Sequence, residues 1–276
     1  MLKGEMEQSK PSTGNAVVYF SVSFKQLCVL TVSLPIFGLF ICFVSAYIFQ
    51  QDQIHETHCK VYNIIPSISA ITGISPQRYL WRICVALHIG PRIVIAIVYN
   101  TYYLSRLPSI STEDQAKYKR LLSICLWLNL IEIASLLGVT YVSNRENYPL
   151  HEKMFICFMI CSLSHMLVVL RTLNILKPQL TENEQRSYDL KRFLFVTSLV
   201  STLGLLIFFV KHRFMCHVMA FSWFSFCEYI IACANMAFHF TVVLDFPTEE
   251  MMVVNGLPGR LPNCELRRDS NSKKVA

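Results

Sequence analysis

Residues 79–104 read YLWRICVALHIGPRIVIAIVYNTYYL. As a helix rising about 1.5 Å per residue, such a run outreaches a hydrocarbon core of about 30 Å, which needs about 20 apolar residues. Yet it carries Arg82, His88 and Arg92. Arg82 lies near one end, where its stem can stay in the apolar layer while the guanidinium reaches the interface. Arg92 is close to the centre, where a lone charge costs about 2.5–3.5 kcal/mol even on insertion scales. A cation at that depth demands partners, and partners mean an interior shared with other helices.

Five further runs of this kind surround it. Apolar stretches occupy residues 27–49, 121–143, 151–176, 193–210 and 217–244, and the whole chain of 276 residues is 53% hydrophobic but only 16% charged. Soluble globular domains carry about 25% charged residues. The runs are apolar on every side instead of alternating, which excludes a β-barrel. The expected fold class is therefore all-α: a polytopic membrane protein of six transmembrane helices. The first run follows 26 mostly polar residues and is long enough to be retained as a helix instead of being cleaved as a signal peptide. The expected organisation is a tail over 1–26, a membrane domain over 27–244 with a cap loop at 50–78, and a second tail over 245–276. Both tails are expected to be poorly ordered. In the cap loop, Pro66, Gly73 and Pro76 oppose a long helix, while its isoleucines need a surface to pack on.

Orientation follows from lysine and arginine in the short loops. Segments 1–26, 105–120, 177–192 and 245–276 hold sixteen, and the loops of the opposite side hold five. This asymmetry predicts that both termini are cytosolic and that the cap loop is luminal. The net charge of +7 is then an orientation signal with some attraction to anionic lipids, and no nucleic-acid partner is expected. Of the eleven cysteines, only Cys59 and Cys216 fall in loops on the luminal side, where they either bridge or remain thiols. The chain closes on NSKKVA, placing Lys273 and Lys274 where coat proteins read a dilysine retrieval signal.

Polar residues inside the spans converge. Glu132 and Glu228 lie at depths similar to that of Arg92, and pairing with one or both would lower its burial cost. Residues three, four or seven apart share a helix face. His88 and Arg92 do so in the second span, Asn129 and Glu132 in the third, and Glu228, Asn235 and His239 in the sixth. His165 stands at middle depth in the fourth. Such groups either only fix helix packing or form a site, and a buried arginine with two glutamates and several histidines exceeds what packing needs. The candidate catalytic groups are His165, His88, Glu132 and Glu228. The candidate substrate-binding groups are Arg92, Asn129, Asn235, His239 and Arg82. No phosphate loop, nucleophile elbow or spaced Cys/His set is present, so neither a cofactor nor a metal is expected. General acid–base chemistry on a lipid ester, or capture of a polar head group with Arg92 on its phosphate, fits these residues.

Several short segments carry a family resemblance. THC (57–59), PSIS (66–69), PQRYLWR (76–82), LHIGPR (87–92), TYVS (140–143), HE (151–152), SLSHML (162–167), NMAFH (235–239) and DF (245–246) resemble those of the post-GPI attachment to proteins factor 2 family. That family is related to the damage-regulated autophagy modulators. The likeness runs from about residue 25 to 246 in consistent order. It implies a protein of the Golgi and endoplasmic reticulum membranes that remodels the lipid of glycosylphosphatidylinositol anchors, at the step restoring a saturated chain at sn-2 of the lyso-anchor. The implied partners are membrane lipids, GPI-anchored proteins, and an acyl donor or a partner acyltransferase. The alternative role is a non-catalytic subunit that presents the lipid.

Overall fold

The computed structural model describes residues 17–57 and 59–255. In chain order the elements are strand β1 (Val17–Ser23), helices α1 (Phe24–Phe49), α2 (Gln51–Ile54), α3 (Ile68–Thr72), α4 (Gln77–Ser105), α5 (Thr112–Tyr141), α6 (Tyr148–Leu176), α7 (Glu182–Met215), α8 (Ala220–Phe240) and α9 (Val242–Asp245), and strand β2 (Glu250–Asn255). Six of the helices, α1 and α4 to α8, are long and apolar enough to cross a membrane. The protein is a multi-pass helical membrane protein, and the described residues form no sheet core.

The helices associate as three close pairs, α1 with α4, α5 with α6 and α7 with α8. Small residues allow this where backbones approach. A Cβ on Gly138 of α5 would stand 2.7 Å from Met154 Sδ of α6. Large apolar side chains such as Phe37, Phe40, Ile83, Trp127, Phe193, Val200 and Ile207 point outward. That is the pattern expected where lipid, not water, is the outer solvent.

Two helices begin more than two turns before their apolar runs. α5 starts at Thr112 instead of residue 121, and α7 at Glu182 instead of residue 193. The extra turns are too polar to register as apolar but form good helix. Thr181 caps α7, accepting from the Glu184 N–H at 3.3 Å while the Glu184 carboxylate accepts from the Thr181 N–H at 2.8 Å. This reciprocal box satisfies two donors that a helix start leaves open. The 34 residues of α7 span about 50 Å at 1.5 Å each, so the helix extends well beyond the hydrocarbon.

The expectation of two poorly ordered tails is overturned where the tails are described. Val17–Ser23 and Glu250–Asn255 pair antiparallel, with Ser23 opposite Glu250 and Val18 opposite Val254. Their valines, aromatics and methionines suit a strand, and pairing satisfies backbone groups that neither segment can satisfy alone. This ribbon defines one end of the bundle. Lys273 and Lys274 lie outside the described residues.

The opposite end is covered by residues 50–57 and 59–76. Ile54, Ile71 and Ile74 are buried against Leu39, Cys42 and Ala46 of α1, which gives the isoleucines of this loop their packing surface. Cys59 is joined to Cys216 by a disulfide with Cα atoms 5.4 Å apart, tying the cap to the α7–α8 corner. The Met219 N–H donates to Tyr62 O at 3.2 Å and the Ile64 N–H to Ser222 Oγ at 2.8 Å.

Candidate functional site

Arg92 is buried at 6% exposure. Its Nη2 donates to Glu132 Oε1 at 2.6 Å and to His239 Nε2 at 2.6 Å. Glu132, with no exposed surface, also accepts from Asn235 Nδ2 at 2.8 Å, and the same amide donates to Ser162 Oγ at 2.7 Å. Four helices, α4, α5, α6 and α8, thus contribute to one network. Its Coulomb attraction and hydrogen bonds offset a desolvation cost of several kcal/mol per ion.

Three histidines border the network. His88 Nδ1 lies 2.7 Å from Thr31 O; a carbonyl only accepts, so Nδ1 carries the proton and Nε2, 3.5 Å from Arg92 Nη1, is the lone pair. His165 stacks on His239 with ring centroids 5.5 Å apart and planes 17° apart. Its Nδ1 stands 3.2 Å from Cys125 O.

The ligand atoms of Glu132, His165 and His239 lie within 4.8 Å of one another, a spacing at which a metal ion can be held. Here Arg92 supplies the cation. Its Nη2 stands within 2.6 Å of both Glu132 Oε1 and His239 Nε2, so a divalent ion drawn to those acceptors would meet a guanidinium at close range.

The network forms one wall of a cavity of about 120 Å³ lined by His88, Arg92, Asn235 and His239 among apolar side chains, with Ser69, His151 and Glu228 also on its lining. Beside it, between α1 and α8, runs an apolar groove of about 750 Å³ bordered by Ile36, Phe40, Phe43, Tyr229 and Phe240. The two share Val32, Leu39 and Met236 as a common wall.

The remaining sequence candidates stand elsewhere. Glu228 is not a partner of Arg92; seven residues before Asn235, it sits about two turns, roughly 10 Å, nearer the cap. There its Oε2 accepts from the Ile68 N–H at 2.9 Å. Asn129 is buried, but its amide oxygen has no hydrogen-bond partner among the described residues. Arg82 lies outside the cavity and clamps the α5–α6 turn, donating to Tyr141 O and to Glu146 Oε2, each at 2.7 Å.

Sequence reading missed a second buried pair and a hydroxyl–imidazole contact. Lys191 Nζ donates to Asp245 Oδ2 at 2.6 Å, with side chains 1% and 0% exposed. Both residues fall in segments assigned to the cytosolic side, where a lysine reads as an orientation signal, so nothing marked them as buried. Ser69 Oγ lies 2.8 Å from His151 Nε2. Both lie in short segments that carry the family resemblance, PSIS and HE, but they are distant in the chain, and only the fold brings α3 and the start of α6 within hydrogen-bond reach.

A family profile described as "Frag1/DRAM/Sfk1/Cwh43P N-terminal domain" matches residues 23–249. A Drosophila melanogaster protein named post-GPI attachment to proteins factor 2-like is 55% identical over 254 residues, covering 91% of this chain and 78% of its own length. A Xenopus tropicalis protein named acyltransferase PGAP2 is 36% identical over 236 residues, covering 85% of this chain and 92% of its own length. A Danio rerio protein of the same name is 34% identical over 214 residues, covering 77% and 87%. No solved structure matches the chain. With the profile covering all six spans and these relatives aligning over most of its length, the chain belongs to the post-GPI attachment to proteins factor 2 family.

Proposed function

We propose that this protein remodels the lipid of glycosylphosphatidylinositol anchors as an acyltransferase, restoring a saturated chain at sn-2 of a lyso-anchor. The observation that carries this reading is the shared wall between a polar cavity and an apolar groove. The groove is about 750 Å³ and lies between α1 and α8, an opening through which an acyl chain enters from lipid by burying apolar surface. The cavity behind Val32, Leu39 and Met236 presents His88, Arg92, Asn235 and His239. These orient the glycerol and phosphate of the lyso-lipid, while Glu132 and His165 hold them in place from behind. Relatives named acyltransferase support the reaction class.

The lysine and arginine asymmetry of sixteen against five supports an orientation with the cap in the lumen of the Golgi or endoplasmic reticulum and both chain ends in the cytosol. In that orientation the cavity serves the luminal leaflet, where the lipid of a GPI-anchored protein resides. A phospholipid of the same leaflet is then the acyl donor at hand, and coat proteins reading Lys273 and Lys274 would return the protein to the endoplasmic reticulum.

Purified protein in liposomes, given a lyso-anchor with labelled phospholipid or labelled acyl-CoA, tests the reading. Transfer of label to the anchor supports an acyltransferase and names its donor. Binding of the lyso-anchor without transfer from either donor overturns it in favour of a lipid-presenting subunit for another acyltransferase.

A further inference from the structure

We propose that Ser69 and His151 are the nucleophile and general base of a double-displacement acyl transfer. The proposal rests on the acyltransferase reading and names its reacting atoms.

Ser69 Oγ lies 2.8 Å from His151 Nε2, and His151 Nδ1 lies 2.7 Å from Val142 O. The carbonyl can only accept, so Nδ1 carries the proton. Nε2 is then a lone pair, and the Ser69 hydroxyl donates to it. This is the tautomer a base needs to activate a hydroxyl, with the third, orienting position taken by a backbone carbonyl. Both residues line the cavity that holds Arg92 and His239.

Independent contacts hold the pair. Ser67 caps α3, its Oγ accepting from the Ala70 N–H at 3.1 Å. The Glu228 carboxylate takes the Ile68 N–H at 2.9 Å, and a Cβ on Gly73 would stand 2.7 Å from Ser69 O. On the other side, Asn147 caps α6, its Oδ1 accepting from the Leu150 N–H at 3.2 Å. His151 is 8% exposed, dry enough to strengthen the hydrogen bond, while Ser69 is half-buried and open to the cavity. Depth also fits. The pair sits at the cap end, one turn into α6, where a bilayer passes from hydrocarbon to its ester-bearing interface. The histidines of the Arg92 network lie deeper.

In the first half-reaction Ser69 Oγ attacks the ester carbonyl of a glycerophospholipid as its proton passes to His151 Nε2. The bond from acyl carbon to glycerol oxygen breaks, and that oxygen leaves with the proton from Nε2. In the second, the free hydroxyl of the lyso-lipid attacks the acyl-Ser69 ester and gives its proton to Nε2. The Ser69–acyl bond breaks, and Oγ recovers the proton.

The full chain in phosphatidylcholine liposomes carrying a radiolabelled acyl chain tests this, with a lyso-anchor as acceptor. Withholding the acceptor should leave label on the protein, mapped to the peptide containing Ser69. Ser69→Ala should lose label and at least about 100-fold of transfer, and His151→Ala about 100- to 10,000-fold, the range of a general base. Ser69→Cys should carry its label as a thioester released by neutral hydroxylamine, a signature that a structural serine would not produce and that survives if Ser69→Ala misfolds. Transfer by Ser69→Ala at the wild-type rate, or label mapped elsewhere, overturns the dyad and leaves the acyltransferase standing. Failure of the wild type to transfer from any donor overturns both.

Discussion

Pro35 of α1 and His88 of α4 are linked through one carbonyl. A helical residue at position 35 would donate its N–H to Thr31 O, but proline has none, and His88 Nδ1 takes that acceptor at 2.7 Å. A helix-weakening residue thereby sets which nitrogen of His88 carries the proton. Pro35→Ala restores the competing donor and weakens a hydrogen bond of about 0.5–1.5 kcal/mol. Anchor remodelling is expected to fall roughly 2–10-fold while protein abundance holds or rises. Assay of both in the same cells checks it, and a fall in abundance without a change in specific activity contradicts it.

Arg92→Leu leaves Glu132 charged and buried without its 2.6 Å partner. Breaking such a pair costs about 3–5 kcal/mol, so the variant is expected to melt well below wild type in detergent. Arg92→Leu with Glu132→Leu removes both charges and should recover most of the stability while remaining inactive. Equal melting of the single and double variants would mean that the pair does not behave as a unit.

The Lys191–Asp245 pair joins α7 to α9 beside the ribbon. Ser187 Oγ also accepts from Lys191 Nζ at 2.5 Å. Lys191→Met should destabilise by about 3–5 kcal/mol for the same reason, and Lys191→Met with Asp245→Asn should regain part of it. Hydrogen exchange is expected to rise first in residues 241–255, which the pair anchors. An increase confined to the cap would contradict this.

Cys59→Ser severs the covalent tie of the cap to the α7–α8 corner. A disulfide contributes about 2–4 kcal/mol where it closes a long loop. Loss of it should raise proteolysis within 50–76 and reduce transfer several-fold, because α3 carries Ser69. The six spans themselves should still insert. Non-reducing mass spectrometry of wild type should find Cys59 and Cys216 in one linked peptide.

Glu146, in the α5–α6 turn, is held below the usual carboxylate range by the Ser143 N–H, which donates to it at 2.9 Å, then by the Ser143 hydroxyl and Arg82. A depressed folded value means that its contribution is fully present above the ordinary value of 4.5 and is lost as pH falls through the folded one. The group is largely exposed, so the effect is small. Protection against hydrogen exchange in residues 142–147, corrected for the intrinsic pH dependence of amide exchange, should be unchanged between pH 7.5 and 6, where the carboxylate stays ionised, and should fall only below pH 4.5. A fall near pH 6 would assign the change to another group.

Much of this protein was legible in its residues because a membrane imposes a one-dimensional rule: about 20 apolar residues cross it, and each polar group within them needs a partner. By that rule the sequence alone established six spans, the burial of Arg92, and the convergence of Glu132, Asn235 and the histidines on one interior. Tertiary structure decided what depends on contact between distant segments. Glu132 and not Glu228 meets Arg92, since two helical turns separate Glu228 from that level and turn it to the cap backbone. Lys191, counted in sequence only among the cations that set orientation, is buried against Asp245 because α7 and α9 pack together. The two tail segments form a ribbon because each supplies the backbone partners that the other lacks. Ser69 and His151 lie 82 residues apart, and no spacing in the chain marks them. Their meeting depends on a cap held by Glu228 and a disulfide, and such chemistry exists only once the helices have packed.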